Sequence, residues 1–169
     1  AYPGRCYGGG FAQWVESGNR EPYNSWGNGS AMRVSPVGFA FESVSEVLRQ
    51  ARRSAEVSHN HPEGIKGAQA TALAVFLARK GEDKTTIRRQ IEARFDYRLD
   101  GSVEEIRADY CFDVTCQGSV PQSIVAFLDS DDECDARWLD VLVGLTDAAA
   151  LVGCAGRIQQ EGRPDRVKA

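Results

Sequence analysis

Apolar positions recur at helical spacing along most of this chain, and strand-like alternation is almost absent. Between Phe41 and Ser58 they fall at Val44, Val47, Leu48, Ala51, Ala55 and Val57, a period of about 3.6 that predicts an amphipathic helix. The polar break "SHNHPEG" follows, with Pro62 placed to start the next helix. Ile65 to Lys80 is Ala-rich and apolar on nearly every face, which predicts a buried helix, and Gly81 stops it. Asp83 is placed to cap a helix over Lys84 to Phe95, whose Ile87, Ile91 and Phe95 share one face. "DYCFDVTCQGSV" reads as irregular, Pro121 to Leu128 and Asp131 to Leu145 as helices, and Val141 to Ile158 as the last apolar stretch. The first 40 residues are rich in Gly, Pro and aromatics and read mostly as loop, with one short helix around Phe11 to Ser17. The expected fold is all-α, an orthogonally packed multi-helix array, with one helical domain over 1–160 and a polar tail over 161–169.

Composition narrows the picture a little. The 169 residues suit one domain with a sizeable core, and 26% charged against 42% hydrophobic residues argues against wholesale disorder. A net charge of −4 gives no electrostatic reason to expect nucleic acid as a partner. Arg49, Arg52 and Arg53 read as a solvated helix face. The five cysteines are odd in number and irregularly spaced, which fits a reducing, cytoplasmic compartment rather than a disulfide framework. The opening "AYPGRCYGGG" has no signal-peptide pattern and no initiator Met, and it reads as the start of a piece of a longer protein.

Candidate chemistry sits in the breaks between helices. "SWGNGSAMRVSPVGF", residues 25–39, sets two glycines and several small polar side chains against an apolar run, as a backbone does where it approaches something closely. His59 and His61 are the only histidines, and with Cys111 and Cys116 they make a zinc set on paper, although the spacing is not that of a zinc knuckle. The Pro-started helix after them offers a second reading, free N–H groups and positive dipole suited to an anion. In "CQGSVPQSI", Ser119 either caps a helix or lines a substrate loop. In the last apolar run, Thr146 and Asp147 argue for a buried helix rather than a membrane span. Asp147 is either a metal-ligating carboxylate or the cap of a helix starting at Ala148.

Three segments together, "YNSWGNGSAMRVSPVGF", "SAEVSHNHPEGIKGAQATALAVFLAR" and "FDVTCQGSVPQSIVAFL", resemble the motifs of the ADP-ribosylglycohydrolase family, of the dinitrogenase-reductase-activating glycohydrolase type, in the expected order. The likeness runs from about Tyr7 to Ile158 and implies the C-terminal two-thirds of that fold. By this resemblance Asn28, Gly29, Ser30 and Met32 border an ADP-ribose pocket. His59 lies beside the diphosphate-ribose portion, with Gly64 and Ile65 near the phosphates. The family removes ADP-ribose from modified arginine or serine, or cleaves related glycosides, with two magnesium or manganese ions.

The metal ligands are where the chain departs from that pattern. No Thr-Asp-Asp occurs in it, and "LTDAAA" stands where the late Gly-Gly-Asp-Ser-Asp-Thr motif is expected, leaving Asp147 as the one matching ligand. A single carboxylate does not hold a hard divalent ion that wants six oxygens. The expectation is therefore a family member with weak or lost hydrolysis. The alternatives are a non-catalytic ADP-ribose or nucleotide-binding module, and a fragment completed by a second polypeptide. ADP-ribose or an ADP-ribosylated protein is the expected partner, with no nucleic acid and no membrane.

Overall fold

The computed structural model describes residues 8–129, so the expected helix over 131–145, the apolar run over 141–158, Asp147 and the polar tail lie outside the described residues. Among the described residues eight helices follow in chain order: α1 (Gly9–Ser17), α2 (Gly29–Met32), α3 (Ser35–Ala40), α4 (Val44–Glu56), α5 (Pro62–Arg79), α6 (Lys84–Phe95), α7 (Val103–Asp109) and α8 (Cys116–Asp129). The only extended pairing among the described residues is an isolated antiparallel bridge between Gly27 and Thr115. The all-α expectation holds for this part of the chain.

α5 is the centre of the array, packed by α2, α3, α4, α6 and α8. A helix that is apolar all round belongs inside, and Ala72 to Ala78 are buried without a break. Small residues on α5 and on α3 let the helices come close. A Cβ on Gly38 of α3 would lie 2.7 Å from Val75 Cγ1, and one on Gly67 would lie 2.5 Å from Cys116 Sγ.

The remaining helices follow local chemistry. Ser43 caps α4 by accepting from Glu46 N at 3.3 Å, and Val47, Ala51 and Ala55 form its buried stripe. The flank of that helix is solvated as expected, with Arg49 paired to Glu46 and Arg52 to Glu56. Asp83 caps α6 by accepting from Thr86 N at 2.9 Å, and Ile87, Ile91 and Phe95 are buried.

Three expectations need correction. Among the described residues 8–40 loop does not predominate, because two short helices, α2 and α3, occupy much of 29–40 beside α1. α7 lies in a stretch with no predicted element. It is held by a reciprocal capping box in which Ser102 Oγ takes Glu105 N and Glu105 takes Ser102 N. α8 begins five residues before Pro121, so "CQGSV" is helical and Pro121 lies within the helix.

Candidate functional site

The loop between α1 and α2 is stitched on both sides. Asn24 N donates to Asn60 Oδ1 at 2.8 Å, and Ser25 N donates to Ser58 O at 3.3 Å, which ties it to the turn after α4. Asn28 N donates to Val114 O at 2.8 Å and Cys116 N to Trp26 O at 3.1 Å, which ties it to the segment entering α8. Side chains repeat the pattern: Asn28 Nδ2 donates to Ser119 Oγ at 3.0 Å, and the Cys116 thiol donates to Gly27 O at 3.2 Å. The three segments singled out in the sequence therefore meet in one place.

His59 is at the centre of that junction, three residues past the end of α4 and 7% exposed. Ser58 Oγ lies 2.8 Å from its Nδ1, and the Tyr23 ring meets it edge-on at 5.9 Å. The opposite edge of the imidazole faces the glycine loop. A Cβ on Gly29 would sit 3.0 Å from His59 Nε2, and one on Gly27 would sit 3.8 Å from it. Burial, with the nearby Arg33 charge, pushes the His59 pKa down from 6.5 to about 4, so the ring is neutral near pH 7.

The other candidates divide by what they touch. Gly64, in the first turn of α5, packs against backbone, because its Cβ would lie 2.7 Å from Ser25 O and 2.9 Å from His59 O. Ser30 is fully buried and donates to Gly64 O at 2.7 Å, joining α2 to α5. Met32 is half-buried, and its N–H closes the turn of α2 on Asn28 O at 2.9 Å. Ile65 is half-buried against the core. At the start of α5 one of the expected open donors is taken, since His61 Nδ1 accepts from Glu63 N at 3.1 Å. His61 is thus the cap of α5, with Trp26 edge-on to its ring at 5.8 Å.

Ser119 does not cap α8. It lies inside that helix, with its hydroxyl donating to Thr115 O, while Thr115 Oγ1 takes Gly118 N at 3.0 Å as the cap would. Sequence reasoning passed over Asp113, whose carboxylate accepts from Thr115 N at 2.6 Å and is held below the usual aspartate range by the Thr115 amide and hydroxyl. The signal was the Asp-x-Thr spacing ahead of a helix. Arg33 and Ser58 were also passed over, and no pattern in their neighbourhood marks them.

Metal chemistry finds little support among these residues. Among the described residues no group of three or more His, Cys, Asp and Glu side chains comes together, so His59, His61, Cys111 and Cys116 do not form a zinc set. The donors among the described residues do not fit a divalent-ion centre either, because such ions want about six oxygen ligands. Cys116 is no nucleophile: burial raises its thiol to about 11.

The fold and site describe a helical domain whose glycine loop, buried histidine and α8 entrance converge on one point. The sequence model of the ADP-ribosylglycohydrolase family matches residues 2–155, and the chain belongs to that family. Among its relatives, the ADP-ribosylhydrolase ARH3 of Bos taurus is 40% identical over 85 residues, 50% of this chain and 21% of the relative. That of Homo sapiens is 39% identical over 85 residues, 50% of this chain and 22% of the relative. That of Gallus gallus is 45% identical over 58 residues, 34% of this chain and 16% of the relative. The matched region thus spans about a fifth of the length of these relatives. Among the described residues no helix is long and apolar enough to cross a membrane.

Proposed function

We propose that the junction of Gly27–Gly29, His59 and the start of α8 binds the ADP-ribose part of an ADP-ribosylated substrate. On this reading Asn28, Gly29 and Met32 border the ligand, and Ser30, Gly64 and Ile65 support it from behind. The observation that carries the reading is the His59 ring edge turned onto Gly29, whose Cβ position has the imidazole as its nearest neighbour, with Gly27 and the Ser25 hydroxyl beside it. A neutral imidazole and a close backbone suit the oxygens of a diphosphate-ribose, which accept hydrogen bonds.

Glycoside hydrolysis by this chain alone is weak or lost. Its described residues offer no divalent-ion centre, and Asp147, the one residue that matches a family ligand, stands beside Ala149 and Ala150. Magnesium or manganese is the ion the family relationship suggests for the complete site. A non-catalytic ADP-ribose reader is the second reading, supported by the same mismatch between pocket residues and metal ligands. A second polypeptide completing the site would restore the hydrolase. The proposed compartment is the cytoplasm.

The test compares ligands on one variant. His59→Ala is expected to weaken ADP-ribose roughly tenfold or more, the size of a hydrogen bond to a charged group, while adenosine changes less than about threefold. Equal losses for both ligands would place His59 away from the diphosphate and sink this assignment.

A further inference from the structure

We propose that Arg33 and Ser58 are positioning residues that hold His59 in its neutral Nε2–H tautomer, so that the ring presents a fixed hydrogen-bond donor to an acceptor oxygen at the Gly27–Gly29 loop. Arg33 caps the C-terminal end of α2, and its guanidinium spans to the end of α4. One nitrogen, Nη2, donates to Ser54 O at 2.8 Å and to Ser58 Oγ at 3.1 Å, and Nη1 reaches Gly29 O at 3.4 Å. A guanidinium can only donate. Ser58 Oγ is therefore an acceptor toward Arg33, and its own hydrogen is left for His59 Nδ1 at 2.8 Å.

That sequence of donors settles the ring. Nδ1 accepts, so the imidazole proton sits on Nε2. The opposite tautomer would aim two donors at Ser58 Oγ and leave the buried hydroxyl hydrogen without an acceptor among the described residues. Ser58 is 5% exposed and His59 7%, so water does little to relieve that mismatch. The Nε2 edge has no hydrogen-bond partner among the described residues and lies against Gly29 and Gly27. The Arg33 guanidinium bonds to Ser54 O, Ser58 Oγ and Gly29 O and not to the imidazole itself. It acts through Ser58, while the loop it grips at Gly29 O is the one the imidazole faces.

The ionisable neighbours of the ring are Arg33 at the end of α2 and Tyr23 in the loop before α2. The end of α4 contributes Ser54 and Ser58, and the first turn of α5 contributes Gly64, none of which titrates. Burial first, and the Arg33 charge second, oppose a proton on the ring, which keeps the Nε2–H form neutral over the ordinary pH range. That the accepting oxygen belongs to ADP-ribose rests on the pocket reading above.

Nitrogen-15 spectra of the imidazole rings in the ligand-free chain test the tautomer without any ligand. The chain has two histidines, so His61→Asn, which keeps a capping side chain, assigns the His59 signals. The expected wild-type pattern is Nε2 protonated and Nδ1 bare, unchanged between pH 5 and 8 on the scale of an ordinary histidine titration. Ser58→Ala should mix the tautomers, raise the His59 midpoint and weaken ADP-ribose roughly tenfold, whereas Ser58→Thr, which keeps the hydroxyl, should restore all three. Arg33→Gln should raise the midpoint as well. A wild-type ring protonated on Nδ1, or a Ser58→Ala chain with the wild-type pattern and midpoint, would overturn the assignment. Wild-type failure to bind ADP-ribose with the tautomer as stated would count against the pocket reading alone.

Discussion

Gly29 and Gly64 are glycines because of what a side chain would strike, since neither is among the described glycines with positive φ, Gly18 and Gly81. At Gly29 the obstacle is the end of the His59 ring, at 3.0 Å, and at Gly64 it is backbone carbonyl oxygen on two sides. The consequences differ. Gly29→Val pushes the imidazole out of place, so ADP-ribose binding should fall at least roughly tenfold with a small change in the urea midpoint. Gly64→Ala meets atoms that cannot step aside and should lower stability by about 1–3 kcal/mol, read from the same denaturation curve. An unchanged midpoint for Gly64→Ala would mean the first turn of α5 is looser than its contacts indicate. From the sequence, the loop over 25–39 was legible as a close-approach backbone. That the approaching group is His59, from a segment some thirty residues on, was not, because pairwise proximity leaves no local pattern.

Long helices with a burial period were readable at the scale of elements, and short ones were not. α4, α5 and α6 carry stripes or an all-apolar run and good caps, so their existence and ends fell within a few residues of expectation. α2, α3 and α7 are four, six and seven residues long, too short for an apolar period to show. The expected start of α8 at Pro121 lies five residues late, because Thr115 closes the helix start ahead of Cys116 while Pro121 sits inside the helix. The α5–α8 contact gives a test at this scale. Gly67→Ala drives a methyl toward Cys116 Sγ at 2.5 Å and should cost about 1–3 kcal/mol. Adding Cys116→Ala removes that sulfur and should recover part of the loss, a non-additive pair in a double-mutant cycle. Strict additivity would mean that the two helices relax apart at no expense.

For the whole molecule, the all-α class was legible from the near absence of alternation, and the family from three segments in order. Their convergence is a tertiary fact that only the fold supplies. One buried histidine also couples that junction to overall stability. His59 titrates near 6.5 in the unfolded chain and at about 4 in the fold, so between these values the unfolded chain binds the extra proton. Its contribution is complete above about 6.5 and is lost as pH falls toward 4, at about 1.4 kcal/mol for each unit crossed at most. The difference in unfolding free energy between wild type and His59→Gln should therefore slope across pH 6.5 to 4 and be flat above it. A flat difference throughout would place the ring in contact with solvent.

The most direct measurement is a calorimetric titration of ADP-ribose into the whole chain, with and without millimolar magnesium. The pocket proposed at the Gly27–Gly29 loop, His59 and the α8 entrance predicts saturable one-to-one binding that magnesium leaves unchanged, since no metal-holding group lies among the described residues that line it. Absence of binding in both conditions would contradict the pocket, and binding that appears only with magnesium would contradict its independence from the ion.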